Sequence, residues 1–113
     1  MKAMDYLAET DIAVTVCDLE GTILYMNLKS MATFADDGGA ALIGKSLIDC
    51  HPEPARSKLL DLLAAPRVNV YTIEKSGVRK MIYQLPWLDE GQVKGLIELS
   101  LPLPVEIPNF IRG

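Results

Sequence analysis

The sequence predicts an α+β domain: one five-stranded antiparallel sheet with short helices on one face. Three features lead there. Two runs rich in β-branched residues, 12–17 and 22–26, flank the polar break Asp18-Leu19-Glu20-Gly21, a hairpin signal. A middle stretch then carries apolar residues at helical spacing. The last third holds three strand-like runs separated by Ser76-Gly77 and Asp89-Glu90-Gly91, which predicts an antiparallel meander.

Taken in order, residues 2–9 form a short amphipathic stretch, too brief to hold a helix alone and therefore expected to cap something else. Asp18 and Asn27 close the two strands of the hairpin with short polar side chains that can bond nearby backbone. Leu28, Met31 and Phe34 recur at helical spacing until Asp36-Asp37-Gly38-Gly39 interrupts them. Pro54 suits a helix start, and residues 55–64, with Leu59, Leu60, Leu62 and Leu63, form a helix that stops before Pro66. Strands are expected at 68–74, 79–88 and 93–101. Pro102, Pro104 and Pro108 then forbid further ladder pairing. The expected organisation is a single domain over 1–113, with a cap at 1–10, a core at 11–101 and a proline-rich tail at 102–113.

The chain has 113 residues, half of them apolar and 23% charged, enough for an unstapled core. The net charge of −4, with eleven scattered basic residues, argues against a nucleic-acid partner. No apolar run approaches the roughly 20 residues that span a bilayer, and the N-terminus lacks a signal-peptide pattern. No membrane partner and a cytoplasmic location with reduced Cys17 and Cys50 are expected. One histidine, no nucleophile–histidine–acid pattern, no phosphate-cradling glycine loop and no metal-ligand cluster argue against an enzyme.

The hairpin pattern D-x-x-G-x-I-x-x-x-N, the helical stretch and Gly44-Lys45-Ser46 resemble the start of a PAS domain. With the order of elements, the resemblance covers residues 11–101. The runs GKSLIDCHPEPARSKLLDLL and YTIEKSGVRKMIYQLPWLDEGQVKGLIELS are similar to PAS units beside hemerythrin-like domains in bacterial proteins. Around PEPxRS the chain is also similar to haem-binding oxygen-sensor PAS domains. The resemblance implies a sensory fold in which a ligand lies between sheet and helices.

Strand alternation sorts the side chains into two sets. The first is wholly apolar: Ile12, Val14, Val16, Leu24, Met26, Tyr71, Ile73, Met81, Tyr83, Leu85, Ile97, Leu99 and Leu101. The second is mixed: Thr15, Cys17, Ile23, Tyr25, Val70, Thr72, Ile82, Gln84, Leu96, Glu98 and Ser100. Carrying over the PAS register turns the mixed set toward the helices. Thr15, Cys17, Tyr25, Val70, Thr72, Ile82, Gln84, Leu96, Glu98, Ser100 and His51 are then the expected pocket residues. Val14, Val16, Leu24, Met26, Tyr83, Ile97 and Leu99 are the expected dimer face, since a contiguous apolar patch marks an interface. The alternative is the reversed register, with the apolar set as core.

His51 is the one candidate metal or haem ligand, against a plainer role in capping its loop. The proximal histidine that the haem resemblance implies falls at Leu59, which cannot ligate iron, so haem is disfavoured. A flavin is disfavoured too, because the reactive cysteine's place after Gly44 holds Leu47. Glu98 invites a polar or cationic ligand, water, or Arg56 or Lys80 if it is buried, and otherwise reaches solvent at a strand edge. The reading is a cytoplasmic, homodimeric sensor module for an unidentified small molecule, acting through a signalling partner. The alternatives are a ligand-free scaffolding module and a haem protein using His51.

Overall fold

The computed structural model describes residues 2–113; Met1, part of the expected cap, lies outside them. A 3-10 turn over Ala3–Tyr6 precedes β1 (Ala13–Asp18), β2 (Ile23–Met26) and α1 (Leu28–Thr33). Three 3-10 turns, Ala35–Asp37, Gly39–Leu42 and Ile48–Cys50, lead to α2 (Ala55–Ala64). Then come β3 (Asn69–Lys75), β4 (Val78–Asp89) and β5 (Gln92–Pro102). The five strands form one antiparallel sheet in the order β2-β1-β5-β4-β3. The last strand in sequence is the central one, so the fold closes only when β5 slots between β1 and β4.

Short polar side chains fasten the first hairpin, as their positions predict. Asp18 Oδ1 accepts from the Glu20 and Thr22 amides, both at 2.9 Å, and Gly21 takes φ +85° between them. Asn27 is buried and uses its whole hydrogen-bonding capacity. Its Oδ1 accepts from the Val14 and Ser30 amides, capping α1, and its Nδ2 donates to the Leu7 and Ile12 carbonyls. That last pair ties the N-terminal segment to the β2–α1 corner. Met4, Tyr6 and Leu7 stay exposed there.

Beyond the hairpin, residues 44–47 run alongside β2, with the Ile23 amide donating to the Lys45 carbonyl at 2.8 Å and a bridge between Thr22 and Ser46. Leu47, Leu59 and Leu62 from the helical layer pack with Cys17, Ile23, Met26, Leu42 and Leu96 as the core. This face of the sheet is therefore the helix side.

Turn length and one bulge decide which side chains share that face. β3 and β4 are joined by the two-residue loop Ser76-Gly77, both residues in the left-handed region, so Lys75 pairs with Val78 and Tyr71 with Ile82. Odd residues of β3 thus stand beside even residues of β4. Tyr71 and Ile73 lie on the helix side, and Val70 and Thr72, expected in the pocket, lie opposite Tyr83 and Met81 on the outer face. In β2 the register passes from Val16 opposite Tyr25 to Cys17 opposite Ile23, leaving Leu24 as the extra residue of a bulge. The bulge sends Met26 into the core and Tyr25 outward, the reverse of strict alternation. Met26 is thereby removed from the expected dimer face and Tyr25 from the expected pocket. Val14 keeps its outward register opposite Leu99 but is only 3% exposed, buried by this chain itself.

Val16, Ile97, Leu99 and Tyr83 occupy the outer face as alternation predicts, half-buried, with Leu24 and Val70 exposed. At one end of the sheet the Trp87 indole crosses β5 at Gly95 and donates to the Cys17 carbonyl on β1 at 2.9 Å. A Cβ at Gly95 would meet that carbonyl at 1.9 Å and the indole nitrogen at 2.7 Å, so only glycine lets the ring pass.

Candidate functional site

A cavity of about 380 Å³ lies between the sheet and the helical layer. Its sheet wall comes from β1 (Ala13, Thr15), β5 (Glu98, Ser100), β4 (Lys80, Ile82) and β3 (Tyr71, Ile73, Lys75). Its other wall comes from Thr33, Phe34, Asp37 and residues Cys50, His51, Pro52 and Ala55 ahead of and within α2. This size falls within the range of small-molecule sites.

Glu98 and His51 dominate its inner end. Glu98 Oε1 accepts from Gln84 Nε2 at 2.9 Å and faces His51 Nε2 at 3.0 Å. Gln84 Oε1 accepts from Asn69 Nδ2 at 2.8 Å. His51 Nδ1 lies 2.9 Å from the Leu47 carbonyl, an acceptor only, so Nδ1 carries a proton. The hydrogen bond to Glu98 then needs a second proton on the Nε2–Oε1 axis. The pair is thus either imidazolium with carboxylate or imidazole with carboxylic acid, neutral overall in both forms. Burial disfavours the charged ring. The hydrogen bond and charge of Glu98, helped by the Leu47 carbonyl, outweigh it, and His51 holds its proton above the usual histidine range.

A polar relay therefore runs across the sheet from Asn69 on β3 through Gln84 on β4 to Glu98 on β5, and on to His51 in the helical layer. Thr15 and Ser30 share a hydroxyl–hydroxyl hydrogen bond at the β1–α1 contact. Burial and the Glu98 charge push the Tyr71 phenol up to about 12. Burial likewise pushes the Cys17 thiol up to about 11 and raises that of Cys50. Both cysteines are free thiols without the activated character of a nucleophile.

Of the residues expected in the pocket, Thr15, Ile82, Glu98, Ser100 and His51 line the cavity, and Gln84 stands one hydrogen bond behind Glu98. Cys17 and Leu96 share the same sheet face but are packed into the core. Tyr25, Val70 and Thr72 are absent from it for the reasons of register given above. Tyr71, Ile73, Lys75, Lys80 and Cys50 line it without having been expected to. The two-residue loop between β3 and β4 is the signal that places Tyr71, Ile73 and Lys75, whereas Lys80 follows from alternation with Ile82 and Gln84 along β4. Neither Arg56 nor Lys80 pairs with Glu98. Arg56 instead binds Asp49 at 3.0 Å.

The residues present do not fit a haem. Both nitrogens of the single histidine are committed, and ligation to iron would break either the Glu98 pair or the Leu47 bond. Among the described residues no group of three or more His, Cys, Asp or Glu converges as a metal site, and no helix is long and apolar enough to cross a membrane.

No protein-family model matches the chain, and no curated protein matches it significantly. Solved structures do, and they show the fold to be that of a PAS domain. The PAS domain of BvgS from Bordetella pertussis superposes with a TM-score of 0.61 at 23% identity, over 89% of this chain and 84% of that one. The Aer2 receptor from Vibrio cholerae, described as a dual PAS-heme oxygen sensor, gives 0.59 at 22% identity over 82% and 95%. The sensor region of a sensor histidine kinase gives 0.61 at 19% identity, where the match covers 80% of this chain and 38% of that one.

Proposed function

We propose that this chain is a sensory module, not an enzyme, that binds a small molecule between sheet and helices and signals through dimer or partner contacts. The observation that carries the reading is the cavity of about 380 Å³ with the Glu98–His51 pair on its wall. A packed scaffold has no use for a buried polar relay beside an open space, and ligand-free scaffolding is the weaker reading for that reason. Glu98 Oε1 receives both bonds of the relay, whereas Oε2 has no hydrogen-bond partner among the described residues. That oxygen is available to a ligand. A ligand touching Glu98 perturbs Gln84 and Asn69 in turn, and so reaches β4 and β3.

For output, the reading uses the outer face of the sheet, where Val16, Leu24, Val70, Tyr83, Ile97 and Leu99 leave apolar surface for a second copy of the chain. Ligand binding shifts the population of sheet conformations and hence that contact. The reading carries a cytoplasmic location with it.

Native mass spectrometry of protein purified from its own cells tests this. Extra mass on each subunit of a dimer is expected, with the ligand lost in Glu98→Ala. Bare polypeptide in both proteins would leave scaffolding as the function, and a bare monomer would remove the outer-face contact as well.

A further inference from the structure

The cavity is chemically lopsided. Its inner end is neutral overall, since Glu98 and His51 compensate each other. Its outer end carries Lys75 and Lys80. Lys80 lies directly opposite Ile73, and Lys75 is two residues beyond Ile73 on the same face. Such a diagonal pair has Cα atoms about 7–8 Å apart, close enough for both ammonium groups to meet one acid group. Neither lysine forms a salt bridge among the described residues; the ion pairs present there are Lys29–Asp11, His51–Glu98, Arg56–Asp49 and Arg67–Asp61. The same two lysines, with Lys29 and Thr33, line an adjoining open groove of about 340 Å³. The acidic groups nearby are Asp37 on the facing wall and Asp11, which is already paired with Lys29 at 2.9 Å and also feels the Lys80 charge.

We propose that the cavity takes an amphipathic organic acid. Its acid group sits between Lys75 and Lys80, its apolar body lies along Phe34, Ile73 and Ile82, and a neutral hydroxyl or N–H reaches Glu98 Oε2. The inference rests on the cavity being the ligand site and names the class of ligand. Between the two ends, Lys80 is four residues along β4 from Gln84, the partner of Glu98, a span of about 13 Å. A chain of about ten carbons, met by a flexible lysine, covers that distance. The two lysines disfavour a cationic group at the outer end, and the compensated Glu98–His51 pair offers no net charge to hold a second ionic group at the inner end.

Titration calorimetry with ω-hydroxydecanoate, decanoate and decane diol tests the assignment. The hydroxy acid is expected to bind more tightly than either probe that lacks one end. Lys75→Gln with Lys80→Gln is expected to weaken the hydroxy acid tenfold or more while leaving the diol unchanged. Neither lysine has an ion pair to lose among the described residues, and a melting curve checks that the double variant stays folded. Equal binding of diol and hydroxy acid, an unchanged affinity in the double variant, or no binding of any probe would each overturn the proposal. The proposed sensor function would survive those results if bound mass still appeared on the protein from its own cells, and would fall with the proposal if it did not.

Discussion

Replacing His51 with alanine removes the proton donor that keeps a carboxylate in the protein interior. The side chains of His51 and Glu98 are 8% and 9% exposed, and the variant leaves Glu98 with Gln84 alone and the Leu47 carbonyl with the Cys50 amide alone. Removing one partner of a fully buried pair costs about 3–5 kcal/mol. Glu98 borders a cavity that water can enter, so the expected loss is smaller, about 2–3 kcal/mol, or roughly 10 °C in Tm for a chain of this length. The pH dependence has a definite sign. His51 holds its proton more tightly folded than unfolded. Its stabilisation is therefore complete below the unfolded value near 6.5 and is lost as pH rises through the higher folded value. Urea unfolding at steps from about pH 6 to pH 8 should show wild-type stability falling as pH rises. The chain has no other histidine, so that fall should vanish in His51→Ala and in Glu98→Gln, which keeps the shape and removes the charge. A variant within about 0.5 kcal/mol of wild type, together with a flat wild-type profile, would refute the ion-pair argument.

Three further outcomes follow from the packing. Asn27→Ala strands two backbone donors and two acceptors and should cost about 3 kcal/mol or more in urea unfolding. Asn27→Asp should be no better, because a carboxylate cannot donate to the Leu7 and Ile12 carbonyls. Gly95→Ala should displace the Trp87 ring and cost about 3 kcal/mol or more, with a shifted fluorescence maximum from the only tryptophan; an unchanged spectrum would contradict the crossing. At pH 8 a thiol reagent should modify Cys50 slowly and Cys17 only after unfolding, and two equally fast thiols would contradict the burial of Cys17.

Most of the fold was legible because its signals are local. Asp18, Gly21 and Asn27 announced the first hairpin, and the helix predicted over 55–64 is the helix observed. Face assignment depends on counting through turns, and there the sequence divides. For β1, β4 and β5 the assumed register places Thr15, Gln84 and Glu98 together. For β3 it fails by one residue, because alternation within a strand carries no phase relative to its neighbour until the loop length is used. The β2 bulge at Leu24 has no signal of that kind, and with it Tyr25 and Met26 trade faces. The Glu98–His51 pair joins residues 47 positions apart, and nothing short-range links them. The sequence left Glu98 either buried and in want of a partner or reaching solvent at a strand edge, and it carried no signal for the partner that Glu98 has.

The Trp87 indole over Gly95 makes the stiffness of the sheet uneven. At that end three adjacent strands are pinned by one ring and by the Asp18 turn. At the other end β5 stops at Pro102, opposite Lys80, and the Leu103 amide adds a last bond to the Arg79 carbonyl, so the tip of the β3–β4 hairpin beyond Arg79 overhangs as a two-stranded ribbon with exposed side chains. A bending load on the sheet would be taken up by the ribbon, as in a plank clamped at one end. Amide exchange should accordingly be slow around residues 87 and 95 and fast around 74–79, the stretch that joins the two lysines at the cavity mouth.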